Sequence, residues 1–118
     1  MNNYKSKRSL RKKKITFQDT TILINIKDQE YFSKKLINYL NSQNIEIKIL
    51  IADGGKKKQN KIFKKLKQKY QYKYHGYDKD MLTYFKKILS AIGSINTKYV
   101  FFCDQDDYVN FECLKKQE

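Results

Sequence analysis

The sequence predicts an α/β domain built on a mostly parallel sheet. Three observations predict it. Apolar runs at 21–26, 45–51 and 98–103 have the length and the β-branched and aromatic content of buried strands. Stretches with helical spacing, at 30–41, 57–69 and 80–92, separate the strands. Strands alternating with helices of this length imply right-handed crossovers, which make neighbouring strands parallel.

Each element follows from its residues. Residues 1–14 are basic, with no periodic apolar face, and read as a disordered tail; the domain takes up 15–118. Thr21-Ile22-Leu23-Ile24-Asn25-Ile26 is the first strand. The helix over 30–41 places Phe32, Leu36, Ile37 and Leu40 on one face, and Asn41-Ser42-Gln43-Asn44 ends it. The second strand, 45–51, alternates at first and then becomes wholly apolar, as a strand entering a covered sheet does. Asp53-Gly54-Gly55 closes it. A second helix over 57–69 has a narrow stripe of Ile62, Phe63, Leu66 and Tyr70, which places its lysines in water. A short strand spans 70–75. The third helix, 80–92, has Asp80 at its start and Gly93 just past its end, with Met81, Phe85, Ile88, Leu89 and Ile92 as its buried stripe. The fourth strand is 98–103. The order β-α-β-α-β-α-β gives a three-layer, Rossmann-like domain.

The chain has 118 residues, enough for one domain with a real core. No apolar stretch reaches the length of a membrane span, and the basic start does not run into a signal-peptide core. Cys103 and Cys113 form neither a disulfide framework nor a metal-ligand pattern, which suits a reducing cytoplasmic setting.

The net charge of +14 resembles a nucleic-acid signal, but its distribution argues against one. Residues 1–14 hold seven basic residues and no acid, residues 56–69 hold eight lysines and no acid, and the remainder is near −1. Two of the 26 basic residues are Arg, the residue that phosphate clamps and base readers favour. The lysine-rich segments read as solvated faces, with the basic tail a candidate for peripheral contact with an anionic membrane.

The chemistry concentrates at strand ends. Asp104-Gln105-Asp106-Asp107 puts three carboxylates at the end of the fourth strand, the edge where open α/β sheets bind ligands. Acids this close repel one another unless a cation offsets them, and a hard divalent metal holding a phosphate does so. The competing reading is an acidic turn that caps the next helix. Asp53-Gly54-Gly55 reads as a simple turn, or as an Asp that contacts a polar ligand edge where glycines allow close approach. No P-loop and no G-x-G-x-x-G is present. His75 reads as structural. Tyr70, Tyr72, Tyr74 and Tyr77 put one face against the core and leave the other exposed.

A strand, a helix, a strand ending in Ile51-Ala52-Asp53-Gly54, two further helices and a strand ending in Asp-x-Asp-Asp resembles the nucleotide-sugar-binding half of family 2 glycosyltransferases of the GT-A fold. The first loop, Asn25-Ile26-Lys27-Asp28-Gln29-Glu30, stands where that family carries Pro-Thr-Lys-Asn-Arg-Pro. The resemblance implies that Ile26, Asp53, Gly54 and Asp104 contact the nucleotide sugar, a UDP-sugar foremost, with Asp53 on the imide N–H of the base. It implies that Asp104, Asp106 and Asp107 serve a Mn²⁺ or Mg²⁺ ion that stabilises the departing diphosphate. The acceptor would be a glycan or a lipid-linked sugar. In the family the acceptor site and general base lie well beyond the Asp-x-Asp strand. Residues 15–118 therefore read as a donor-binding domain truncated at its C-terminus, with no catalytic base assigned. The alternatives are a basic module for nucleic acid or anionic membrane, and a glycosyltransferase remnant without turnover.

Overall fold

The computed structural model describes residues 13–118. The expected tail lies outside the described residues, apart from Lys13 and Lys14. Among the described residues four strands and four helices alternate: β1 Ile15–Ile26, α1 Glu30–Ser42, β2 Ile45–Asp53, α2 Asn60–Phe63, β3 Gln71–Tyr74, α3 Met81–Gly93, β4 Tyr99–Asp104 and α4 Phe111–Lys115. The strands form one all-parallel sheet in the order β3-β2-β1-β4. The expected fold class is thus the observed one.

The sheet's two faces are unequally covered. Ile22, Ile24 and Ile26 of β1 point to one face, with Ile49 and Ile51 of β2 and Cys103 of β4. Leu36, Ile37 and Leu40 of α1, Phe63, and Phe111 and Leu114 of α4 close over them and make the main core. Among the described residues the other face carries α3. It packs through Ala91 on Leu23, Leu50 and Ala52. No described helix is long and apolar enough to cross a membrane.

Three elements differ from expectation, each for a physical reason. β1 begins at Ile15 rather than Thr21, with an irregular register against β2 between Thr16 and Thr21. That irregularity leaves backbone donors free, and Glu118 takes them. Its carboxylate accepts from Gln18 N at 3.1 Å, Asp19 N at 2.8 Å and the Thr20 hydroxyl at 2.7 Å. Phe17 beside it packs edge-on against Phe111, with ring centroids 6.2 Å apart. These partners stand about a hundred residues away, so local pattern gives no sign of them.

The second predicted helix, 57–69, shrinks to Asn60–Phe63. Beyond it the chain closes i to i+3 turns, Lys65 N to Ile62 O at 3.3 Å and Leu66 N to Phe63 O at 2.9 Å. Lysines at i, i+4 with no acid among them repel one another in a helix. The side chain of Asn41 offers an alternative, donating to Lys65 O at 3.0 Å and accepting from Lys67 N at 2.8 Å.

The third difference is in α3. Its bounds are as expected, with Asp80 as N-cap in a reciprocal box with Thr83, though Gly93 is its last residue rather than the one after it. Its burial is not. Met81, Phe85, Leu89 and Ile92, expected inside, are exposed, and the buried positions are Lys87 and Ala91. The helix is turned so that a charged and a small residue meet the sheet. Beside it, Val100 and Phe102 of β4 are exposed too.

Candidate functional site

The parallel register brings the C-terminal ends of β1, β2 and β4 together. Asn25 of β1 pairs with Asp104 of β4, and Ile26 pairs with Asp53 of β2. Every residue singled out in the sequence for ligand contact therefore lies at one edge of the sheet. Their environments differ sharply.

Asp53 is fully buried. Its Oδ1 accepts from Gly55 N at 2.8 Å, its Oδ2 accepts from Gln59 N at 3.0 Å, and the Tyr72 hydroxyl donates to Oδ2 as well. Three donors justify a buried carboxylate, since an ionised group without partners is too costly to desolvate. Burial and the bond to Asp53 push the Tyr72 phenol far above its ordinary value. In this conformation both oxygens of Asp53 serve the protein's own loop rather than an outside ligand. Ile26 is fully buried, and its carbonyl accepts from Gly54 N at 2.9 Å.

The glycines are required by neighbouring loops. A Cβ on Gly54 would stand 2.7 Å from Asp78 Oδ2 and 2.8 Å from Lys87 Nζ. A Cβ on Gly55 would stand 2.8 Å from the backbone nitrogen of Asp28. The space that glycine leaves here is filled by protein.

The loop after β1 is strained. Asp28 and Gln29 both adopt left-handed backbone, each with φ of 54°. Such residues cost of order 1–2 kcal/mol each unless their surroundings hold them. Gln105 does the holding. Its Nε2 donates to Asp28 O at 2.7 Å, to Gln29 O at 3.1 Å and to Ser33 Oγ at 2.9 Å, while its Oε1 accepts from Lys27 N at 3.1 Å. Gln59 Nε2 adds a bond to Asp28 O at 2.6 Å. The residue between the acids of Asp-x-Asp-Asp thus clamps the first loop to the fourth strand. Nothing local in the sequence marks either glutamine for that role.

Asp104, Asp106 and Asp107 are exposed, on a turn closed by Asp107 N to Asp104 O at 3.1 Å. Among the described residues, none of their carboxylates has a hydrogen-bond or ion-pair partner. Nor do three His, Cys, Asp or Glu side chains gather anywhere into a ready-made metal-holding group among the described residues. The donor set still fits a hard divalent cation: free carboxylates on a turn whose side chains can rotate, with water and phosphate oxygens to complete the shell. Below the turn, Cys103 is buried, and burial together with Asp107, Asp104 and Asp106 pushes its thiol up to about 12. Cys103 is therefore an inert thiol at neutral pH.

A buried ion pair lies beneath Gly54. Lys87 Nζ stands 2.8 Å from Asp78 Oδ2, both side chains nearly sealed from water. Asp78 N donates to Gly54 O at 2.8 Å, which ties the loop after β3 to the loop after β2. A pocket of about 280 Å³ opens beside the pair, lined by His75, Tyr77, Thr83, Lys86 and Ser90. Its His75 is held below the ordinary histidine value, mainly by burial and then by Lys73 and Lys87. The pair was not foreseen in the sequence, because Lys87 belongs to no apolar stripe. Nearer the acids, Asn25 Oδ1 is buried and has no hydrogen-bond partner among the described residues.

The larger cavity, about 780 Å³, sits at the opposite edge, where β2 and β3 begin, lined by Lys14, Gln43, Lys48, Gln68 and Lys69. It holds none of the convergent acids and lies away from the strand ends that bind ligands in such sheets. Comparison with protein-family models, with curated proteins and with solved structures finds no match to the chain.

Proposed function

We propose that the chain is the donor-binding domain of a metal-dependent glycosyltransferase of the GT-A kind, taking a nucleotide sugar at the C-terminal edge of its sheet. One observation carries the reading. Three carboxylates without partners among the described residues, on Asp104, Asp106 and Asp107, stand at the end of β4, beside β1, whose own end is opposite Asp53. None of the described lysines pairs with these acids, as suits a site kept open for a cation and its anion. The unsatisfied Asn25 Oδ1 supports it, as an acceptor available to a ligand N–H or O–H.

In this reading Asp104 and Asp106 hold Mn²⁺ or Mg²⁺, and Asp107 supports them or meets the sugar. The metal, when bound, offsets charge on the departing diphosphate. The protein's own part is positional. Gln105 fixes the first loop against the acid turn, and Asp53 fixes the second through Gly55 and Gln59, so the edge is organised before a ligand arrives. In this reading Asp53, bonded to Gly55, Gln59 and Tyr72, shapes the wall of the nucleotide site, and base contact falls to groups around it. The acceptor is a glycan or lipid-linked sugar, and the setting is cytoplasmic, with residues 1–14 supplying peripheral contact with an anionic membrane.

A thermal-shift panel tests the reading. Nucleoside diphosphate sugars with Mn²⁺ should raise the unfolding midpoint, while the same sugars in EDTA raise it less and free sugars not at all. No shift with any nucleotide sugar at millimolar concentration contradicts it.

A further inference from the structure

Two loops bring positive charge, and a third an aromatic ring, to one point of the same edge. Lys27 follows β1, Lys56 follows β2 and Tyr77 follows β3. Lys27 Nζ lies 5.0 Å from the centre of the Tyr77 ring and Lys56 Nζ lies 5.5 Å from it. The two ammoniums are thus no more than about 11 Å apart, on stems long enough to close on one anion. Both lysines are exposed, and neither has a carboxylate within ion-pair distance among the described residues.

The acids nearby are already engaged. Asp53 serves Gly55, Gln59 and Tyr72, and Asp78 serves Lys87. Asp28 Oδ1 accepts from Lys56 N at 2.8 Å. The Tyr77 ring holds the ammoniums by cation–π attraction without cancelling their charge, and it remains 40% exposed. Lys27 is anchored further, since its Nζ donates to Asp78 O. Its backbone N–H meets Gln105 in the acid turn at 3.1 Å, so the loop that carries Lys27 is tied to that turn. A hard anion with two phosphoryl groups is the ligand that such a pair of fixed, unneutralised cations fits, because each phosphoryl group can meet one ammonium.

We propose that Lys27 and Lys56, set by Tyr77, form a clamp for the diphosphate of the ligand, and that the clamp holds a diphosphate without a metal ion. The identification of the ligand as a nucleotide sugar rests on the reading above; the clamp rests on the lysines. Pyrophosphate and UDP are the probes, titrated calorimetrically into the protein in EDTA at low and at high salt. Both should bind at low salt and weaken as salt rises. Lys27→Met/Lys56→Met should weaken both by about tenfold or more, while Lys48→Met/Lys69→Met, which removes equal charge at the opposite edge, should change them less than about twofold. Lys56→Met alone keeps the test sound if loss of the Lys27 bond disturbs folding, because no hydrogen bond of the described residues uses the Lys56 ammonium.

Equal weakening in the two double variants, or no binding of either anion in EDTA, overturns the clamp. Mn²⁺-dependent UDP binding that needs Asp106 but ignores the lysines also overturns it, and leaves the nucleotide-sugar reading standing. Pyrophosphate that binds as tightly as UDP and is lost in the lysine variants keeps the clamp and removes the nucleotide.

Discussion

Both carboxylate oxygens of Asp53 accept hydrogen bonds from the protein itself, from Gly55 N, Gln59 N and the Tyr72 hydroxyl. Asp53→Asn removes the charge that three donors meet, and should cost about 3 kcal/mol in chemical denaturation, since bonds to an ionised acceptor are the strong ones. Tyr72, whose phenol is raised above its unfolded value, adds a pH signature. Its contribution is fully present below about pH 10 and is lost as pH rises further, and Tyr72→Phe should remove that alkaline dependence. Glu118 supplies the opposite sign. The Lys115 ammonium, then the Asp19 N–H, hold its carboxyl at about 2. Its contribution is present above the unfolded value near 4.5 and is lost as pH falls from there toward about 2. An acid titration of the unfolding midpoint should show that loss in the wild type and lose most of it in Glu118→Gln.

β2, β3, β4, α1 and the 21–26 half of β1 were legible, because apolar periodicity and turn residues report local structure directly. The second helix was not, since the bonds that replace it come from Asn41 and Gln68, residues of no periodic pattern. The bounds of α3 were legible from its cap, but its orientation was not. Amphipathicity says which residues prefer burial. The Asp78–Lys87 pair and the small Ala91 decide which face meets the sheet. Lys87→Met should therefore cost about 3 kcal/mol or more, by leaving Asp78 buried and unpaired. Leu89→Lys, on the exposed side of the same helix, should stay within about 0.5 kcal/mol and improve solubility, as denaturation curves and sedimentation would show.

Across the whole molecule, a four-stranded parallel sheet with one well-covered face delivers the ends of three strands to a single edge. The location of the candidate site was legible from that topology, together with the acids that mark it. Its construction was not, because Gln59, Gln105, Lys87 and the ring of Tyr77 contribute through contacts between loops far apart in sequence. The proposed function requires that the turn of Asp104, Asp106 and Asp107 bind a nucleoside diphosphate through a divalent metal. Calorimetric titration of Mn²⁺, with and without UDP, into the wild type and Asp106→Asn tests it most directly. Weak Mn²⁺ binding that tightens with UDP is expected in the wild type, and its loss in the variant. Equal binding in the two proteins would contradict it.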